Sequence, residues 1–531
     1  MPDYSTISSG ESSASAGDMT RQKRARGRPK DTGGGQATMI SSVINLLNTI
    51  IGAGTLAMPS AMSHFGMLIG VIVILWSGFT SAFGLYLQAR CARYLDRGTS
   101  SFFALSQMTY PNAAVIFDAA IAIKCFGVSV SYIIIIGDLM PGVVEGFDAR
   151  AADIPYLMDR NFWITAFMLV IIPLSFLRRL DSLKYTSIVA LVSIGYLIVL
   201  VVYHFAVDIP APRDKVRFIS WGGPVEALAS LPVVVYAYTC HQNMFSILNE
   251  ISNNSPGSIV GVISTSIGSA AAVYILVAIT GYLTFGNDVI GNIVSMYPAS
   301  IASTIAKAAI VVLVTFSIPL QIHPCRASVD AVLKWRPNGS RSQGRTNSPG
   351  GRPLLPNPSQ SRSDHGPSAP MSDLRFAILS TIIVVLAYVT SLTVTSLEQM
   401  LAFVGSTGST SISFILPGLF YYKISDPDSI HQQRLTKEDD DALPSSDSEE
   451  EGGEEGLLGR SVDSIHSAAS ASSARSKNTK SSWRWVKKFR WDMEHIDVQF
   501  LRGAALALSI YGVCVMIVCL GMNVFGSVAA H

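Results

Sequence analysis

Residues Ile44 to Pro59 read INLLNTIIGAGTLAMP, an apolar run interrupted near its middle by Gly52, Ala53 and Gly54. Hydrocarbon offers no water to satisfy backbone N–H and C=O groups, so a helix that breaks at membrane depth survives only where it lines a cavity or is buried in protein. The glycines leave their N–H groups free, and the half-helix that starts there points its positive end into the gap, which suits a carboxylate. Close packing of small residues against a neighbouring helix is the competing explanation of such glycines. Asn45, Asn48 and Thr49 flank the break and bring polar side chains to it.

The rest of the chain shows what kind of protein holds this run. Of 531 residues, 49% are hydrophobic and 14% charged, and mean hydropathy is +0.38. Long apolar stretches alternate with short polar ones, as repeated crossing requires when roughly 20 apolar residues span the hydrocarbon. Eleven helices are expected, over 39–60, 66–89, 113–140, 162–177, 184–206, 222–246, 258–284, 301–322, 375–395, 397–422 and 503–525. The fold class is therefore an all-α integral membrane protein. No apolar signal segment precedes the first run, whose own helix is expected to direct insertion.

Orientation follows from the Lys and Arg bias. With a cytoplasmic amino terminus carrying the basic run Arg21 to Lys30, the residues Arg90, Arg93, Arg97, Arg178, Arg179 and Lys184 and the loop from Arg326 to Arg375 all fall inside. The acid-rich stretch holding Glu145, Asp148, Asp153 and Asp159 then lies on the far side, with Trp163 and Trp221 at far-side helix ends. Arg213, Lys215 and Arg217 dissent, partly offset by Asp208 and Asp214. An odd helix count puts His531 on the far, lumenal side. The sequons at Asn253 and Asn338 fall inside, where glycosylation does not occur.

The division that results is a basic cytoplasmic segment 1–38, expected to be disordered, and a ten-helix core 39–422 interrupted by a disordered loop 337–373. A disordered acidic and Ser-rich loop 423–482, a basic-aromatic segment 483–502 and the eleventh helix 503–525 complete it. The segment Trp483 to Trp491 interleaves aromatics with cations and is expected to lie on anionic lipid. Ser445, Ser446 and Ser448 precede a Glu run, and read either as an acidophilic kinase site or as an unmodified tail. The cysteines at 91, 125, 240, 325, 514 and 519 sit in or beside apolar runs, so a disulfide framework is not expected.

A second break is expected in the sixth helix, where LPVVVYAYTCHQN runs from Leu231 to Asn243 and polar residues gather after Tyr236. Transporters built from inverted repeats place discontinuous helices at matching positions of the two halves, and helices one and six match if five helices form each repeat. Unwound carbonyls around Tyr236, Ala237, Tyr238, Thr239 and Cys240 would suit an ammonium group. Carboxylate donors facing ammonium acceptors are what an amino acid backbone requires.

Four segments together resemble one known family: NLLNTIIGAG from Asn45 to Gly54, TCHQN from Thr239 to Asn243, SIPLQIHPCR from Ser317 to Arg326, and FVGSTGSTSISFILPG from Phe403 to Gly418. The family is the amino acid/auxin permeases, in the manner of fungal vacuolar amino acid transporters and sodium-coupled neutral amino acid transporters. The resemblance implies a five-plus-five inverted repeat (LeuT-like) plus an eleventh helix, with alternating access around a site between helices one, three, six and eight. It implies substrate contacts at Thr49, Gly52, Ala53, Gly54 and Tyr236 to Cys240. In sodium-coupled relatives a first-helix asparagine and an eighth-helix hydroxyl help bind the ion, positions that Asn45 or Asn48 and Thr315 or Ser317 would fill here.

The resemblance further implies a secondary active transporter in a vacuolar or lysosomal membrane, coupled to H+, with a sodium-coupled plasma-membrane transporter or an amino acid sensor as alternatives. No cofactor is expected beyond the coupling ion, and the expected partners are an amino acid, the bilayer, and lipid or kinases at the loops, with no nucleic acid. Lys124 lies inside the third helix, where a lysine costs about 2.5 to 3.5 kcal/mol on insertion scales. It reads as a proton-titrating group or as a lysine paired with a carboxylate such as Asp118. His241, beside the second break, reads as a titrating or a structural histidine. Glu398 reads as the capping charge of the tenth helix. No Walker loop and no convergent set of nucleophiles or metal ligands appears, so an ATP-driven pump and a membrane enzyme are disfavoured.

Overall fold

The computed structural model describes residues 35–95, 98–177, 186–207, 212–334, 371–429, 433 and 498–529. The basic run Arg21 to Lys30, Arg97, Arg178, Arg179, Lys184, Asp208, Asn338 and nearly all of the two long loops lie outside the described residues, as does the Trp483 to Trp491 segment. Within them the chain is helical.

The first apolar run forms two helices, α1 (Met39–Ile50) and α2 (Ala53–Phe65), bent by 56° at Ile51 and Gly52. Thr38 starts α1 by accepting a hydrogen bond from Ser41 N. There follow α3 (Met67–Ala92), the short α4 (Phe102–Thr109), α5 (Ala114–Phe147), α6 (Arg160–Ser175) and α7 (Thr186–Val207). The sixth apolar run is also divided, into α8 (Pro224–Ala237) and α9 (His241–Glu250). Then come α10 (Pro256–Phe285), α11 (Ile301–Lys334) and α12 (Asp373–Thr393). The next run begins as α13 (Leu397–Val404), passes through two π-helical stretches over Gly405–Ser409 and Ser411–Ile415, and ends as α14 (Leu416–Ile424). The described chain closes with α15 (Val498–Ala529).

Among the described residues eight helices are long and apolar enough to cross a membrane, and nine if α1 and α2 count as one bent span. Several helices outrun the apolar segments that mark them in the sequence. α11 continues past residue 322 to Lys334, because the charges that end its apolar run find partners inside the bundle. Arg326 donates to Ser380 Oγ at 2.8 Å and Ser175 O at 3.3 Å, with its guanidinium 3.9 Å from the Phe376 ring centre. Asp330 pairs with Arg375 and Lys334. Two of the dissenting loop cations are paired at the surface instead: Lys215 lies 2.6 Å from Asp288, whose hydrogen bond holds its pKa above the ordinary lysine value, and Arg217 lies 3.4 Å from Glu226.

Buried apolar residues fall into two clusters. One gathers residues of α1, α3, α9 and α10, the other residues of α5, α6, α7 and α11. Both helix breaks lie on the seam, since Ile50 and Ala237 belong to the first cluster while Ala53 and Tyr236 belong to the second. α11 packs along α5, and the π-helical stretch is wedged against α5 and α8. All six cysteines are free and five are buried.

At the entry to α1 the backbone of Ala37 pairs with the strand-like turn after α9: Ala37 N donates to Glu250 O and Ser252 N to Ala37 O, both at 2.9 Å. The π-helical stretch shows why glycine recurs in it. A Cβ on Gly405 would meet the carbonyl oxygen of Pro232 in α8, and one on Gly408 would fall 2.7 Å from Lys124 Cβ. Gly405→Ala should therefore lower the thermal stability of detergent-solubilised protein by about 1–3 kcal/mol, the usual range for overpacking. Gly503→Ala, on α15 where nothing lies within 4 Å, should leave it unchanged in the same melting measurement.

Candidate functional site

A cavity of about 480 Å³ opens on the seam between the two clusters. From the first break it is lined by Asn45, Asn48, Thr49, Gly52, Ala53 and Gly54, and from the second by Tyr236, Ala237 and Thr239. Lys124, Cys125 and Tyr132 of α5, Gln242 and Asn243 of α9, and Ser317 and Gln321 of α11 add to its polar wall, while Ile121, Val128, Ile194 and Val314 are among its apolar lining. Exposure falls from Asn45, which is exposed, through half-buried Asn48 and Thr49 to buried Ala53. The cavity therefore opens at the Asn45 end of α1 and stops where α2 packs on α8.

Of the residues singled out from sequence, four do not line the cavity. Tyr238 turns its ring into a pocket beside Gly78 and edge-on to Tyr274, with ring centres 5.1 Å apart. Cys240 is fully buried at the start of α9. His241, also fully buried, lies against α3 with Nε2 3.2 Å from Ser81 O, while its own carbonyl accepts from Gln88 Nε2 at 2.9 Å. Thr315 spends its hydroxyl on Val311 O at 2.7 Å. The pairing of Lys124 with Asp118 is not formed: Lys124 is buried, and no hydrogen bond or ion pair reaches its side chain among the described residues. No Asp or Glu lines the cavity either.

The two glycines of the first break differ. A Cβ on Gly54 would fall 2.6 Å from Ala237 Cβ, so this glycine lets α2 lie directly on α8. Gly52 has nothing within 4 Å of a built Cβ, and it carries no side-chain cap for α2. Thr55 N donates to Gly52 O at 3.0 Å, while among the described residues no acceptor meets the N–H groups of Gly52, Ala53 and Gly54; free N–H groups at the start of a helix dipole are the arrangement that holds an anion.

The carbonyls of the second break are mostly in use. Tyr236 O accepts from Thr239 N at 2.9 Å, Tyr238 O from Ser81 Oγ at 3.1 Å and Val235 O from Thr239 Oγ1 at 3.1 Å. Among the described residues no donor reaches Thr239 O, nor Ile51 O at the first break. Between the half-helices on the open side, Asn243 Nδ2 donates to Thr49 Oγ1 at 2.8 Å, joining α9 to α1.

The closed end is held by a network that the sequence did not disclose. Glu398, in the first turn of α13, accepts from Ser60 Oγ of α2 at 2.6 Å and from Ser230 Oγ of α8 at 3.2 Å. His64 of α2 brings Nδ1 to 3.3 Å from the same carboxylate and 2.7 Å from Ser230 Oγ. The cap of α13 is instead Ser396, which accepts from Gln399 N. Glu398 is thus a partly buried tie across three helices rather than a capping charge. Spacing could not reveal this, because Ser60, Ser230 and Glu398 are far apart in the chain, the two serines lie in mid-helix where small hydroxyls are ordinary, and an acid is ordinary in a helix's first turn. Among the described residues no group of three or more His, Cys, Asp or Glu could hold a metal ion.

Residues 35–440 match the family described as transmembrane amino acid transporter protein. The chain is 44% identical over 398 residues to vacuolar amino acid transporter 5 of Schizosaccharomyces pombe, covering 75% of this chain and 87% of that one. It is 42% identical over 412 residues to vacuolar amino acid transporter 6 of Saccharomyces cerevisiae, covering 73% and 90%. Among solved structures it is similar to a nucleobase-cation-symport-1 family transporter in a closed conformation, with TM-score 0.45, 12% identity and coverage of 75% and 81%. The chain belongs to the transmembrane amino acid transporter family.

Proposed function

We propose that this protein is a secondary active transporter that carries amino acids across a vacuolar or lysosomal membrane by alternating access, coupled to protons. The observation that carries this reading is the cavity at the two breaks, of a size usual for small-molecule sites. In it the amino acid's carboxylate would rest on the free N–H groups at Gly52, Ala53 and Gly54, and its ammonium on Ile51 O and Thr239 O. The relatives' vacuolar names support the compartment.

On this reading eleven spans form, with α6 and the α8–α9 pair crossing alongside the eight long helices and the bent α1–α2 pair. They form a five-plus-five repeat and a final helix, with the amino terminus cytoplasmic and the carboxyl terminus lumenal. The cavity then faces the cytoplasm, and the Glu398 network closes the lumenal side. The loops 337–373 and 423–482 and the segment 483–502 serve lipid or kinase contacts outside this core.

Protons are favoured over sodium because Lys124 lines the cavity without a carboxylate partner. A charged Lys124 would repel a sodium ion bound at Asn45, Asn48 or Ser317, whereas a lysine that exchanges its proton as the cavity fills supplies the coupling itself. His241, turned towards α3, is a structural histidine in this scheme. A sensor on the same scaffold would bind the amino acid without exchanging it, so counterflow of labelled amino acid in proteoliposomes is the primary test, and absence of counterflow would refute transport.

Lys124→Ala should reduce accumulation driven by an imposed pH gradient by about tenfold or more while counterflow stays within about threefold, since intramembrane ionisable groups mark proton relays. A pH profile identical to wild type would make Lys124 structural. Gly52→Val should fold normally yet lose amino acid binding, because its side chain enters open cavity. Gly54→Val should instead fail in folding yield, because it drives α2 off α8. Size-exclusion profiles beside a binding assay separate the two outcomes.

A further inference from the structure

Tyr274, midway along α10, is fully buried. Its hydroxyl lies 2.7 Å from Ile50 O and 2.8 Å from Ala237 O. Ile50 is the last residue of α1 and Ala237 the last of α8. One phenol thus stands between the carbonyls at which both divided helices stop. Those carbonyls belong to opposite halves: α1 flanks the open side of the cavity, and α8 the closed side, packed on α2.

A phenol hydroxyl has a single proton to donate. It satisfies one of the two carbonyls fully or shares itself between them, and the ring that carries it packs edge-on against Tyr238 at an interplanar angle of 82°. Helix ends leave carbonyls without intrahelical partners, and a buried one left unmade costs free energy. With Ile50 O and Ala237 O engaged, Ile51 O and Thr239 O, whose residues line the cavity, have no donor among the described residues, and neither do Asn48 O and Thr49 O at the end of α1.

We infer that Tyr274 is a positioning residue for the transported amino acid: by tying Ile50 O to Ala237 O it fixes the two breaks relative to each other and leaves Ile51 O and Thr239 O as the acceptors for the substrate's ammonium group. The inference rests on the reading that the breaks hold an amino acid backbone. Tyr274 does not line the cavity and acts through the backbone it holds. Without its hydroxyl the two orphaned carbonyls compete for the ammonium and the breaks lose their mutual register, while the apolar walls that meet a side chain are untouched.

Tyr274→Phe keeps the ring and removes one oxygen. In proteoliposome counterflow it should raise KM about tenfold with kcat within about threefold, the size of effect a lost positioning hydrogen bond gives. In detergent its melting temperature without ligand should fall modestly, as unmade buried hydrogen bonds require, while the upward shift produced by the amino acid is lost. Tyr196→Phe removes a hydroxyl bonded to Ala302 O at 3.1 Å, away from both breaks, and should leave KM unchanged. An unchanged KM in Tyr274→Phe, a variant that does not fold, or a lowered ligand-free melting temperature with the ligand shift intact would each overturn the inference. A wild-type protein that exchanges no amino acid would instead overturn the transport reading on which it rests.

Discussion

Every backbone polar group placed inside a bilayer needs a partner supplied by the protein, and the structure is organised around the two places where helices give up their own. At Ile51–Gly52 and at Tyr238–Cys240 the regular ladder stops. The groups set free are then divided into those the protein satisfies and those it leaves open. Tyr274, Ser81 and Thr239 take up carbonyls, whereas the N–H groups opening α2 are left bare. That division leaves N–H groups and carbonyl oxygens together at one cavity, with no Asp or Glu in its lining.

The same constraint explains the packing around the breaks. A half-helix has less surface with which to hold itself in place than a full span, so α2 and α8 are pressed together at Gly54 and Ala237 and tied to α13 through Glu398. The π-helical stretch after α13 brings backbone against both Lys124 and Pro232, so that α5, α8 and the tenth apolar run meet without intervening side chains. Irregular helices of this kind recur at functional sites. Here the irregularity lets three elements converge behind the cavity.

The apolar runs were legible from composition alone, because the hydrocarbon demands about 20 apolar residues from any helix that crosses it. The break at Gly52 was legible because two glycines in mid-span are costly without a reason. The sequence could not separate the two glycines, since packing against Ala237 depends on a residue far along the chain. It also could not find Tyr274 or Ser81, which are unremarkable in apolar helices and become informative only when their hydroxyls meet particular carbonyls. Cys240 and His241 looked like site residues because they adjoin the second break, but Cys240 is fully buried outside the cavity lining and the helix that restarts there turns His241 towards α3. Glu398 was misread for a related reason: its position at a helix start is visible in the sequence, and its partners are not.

The pairing of Ala37 with Glu250 and Ser252 has a mechanical consequence. The chain enters α1 already fastened to the end of α9, and Asn243 fastens α9 to α1 again near the breaks. The two half-helices on the open side are thereby stitched at both ends, like a hinged flap with a seam down its length. A pull on the backbone at Gly35 to Ala37 is therefore delivered to both of them together.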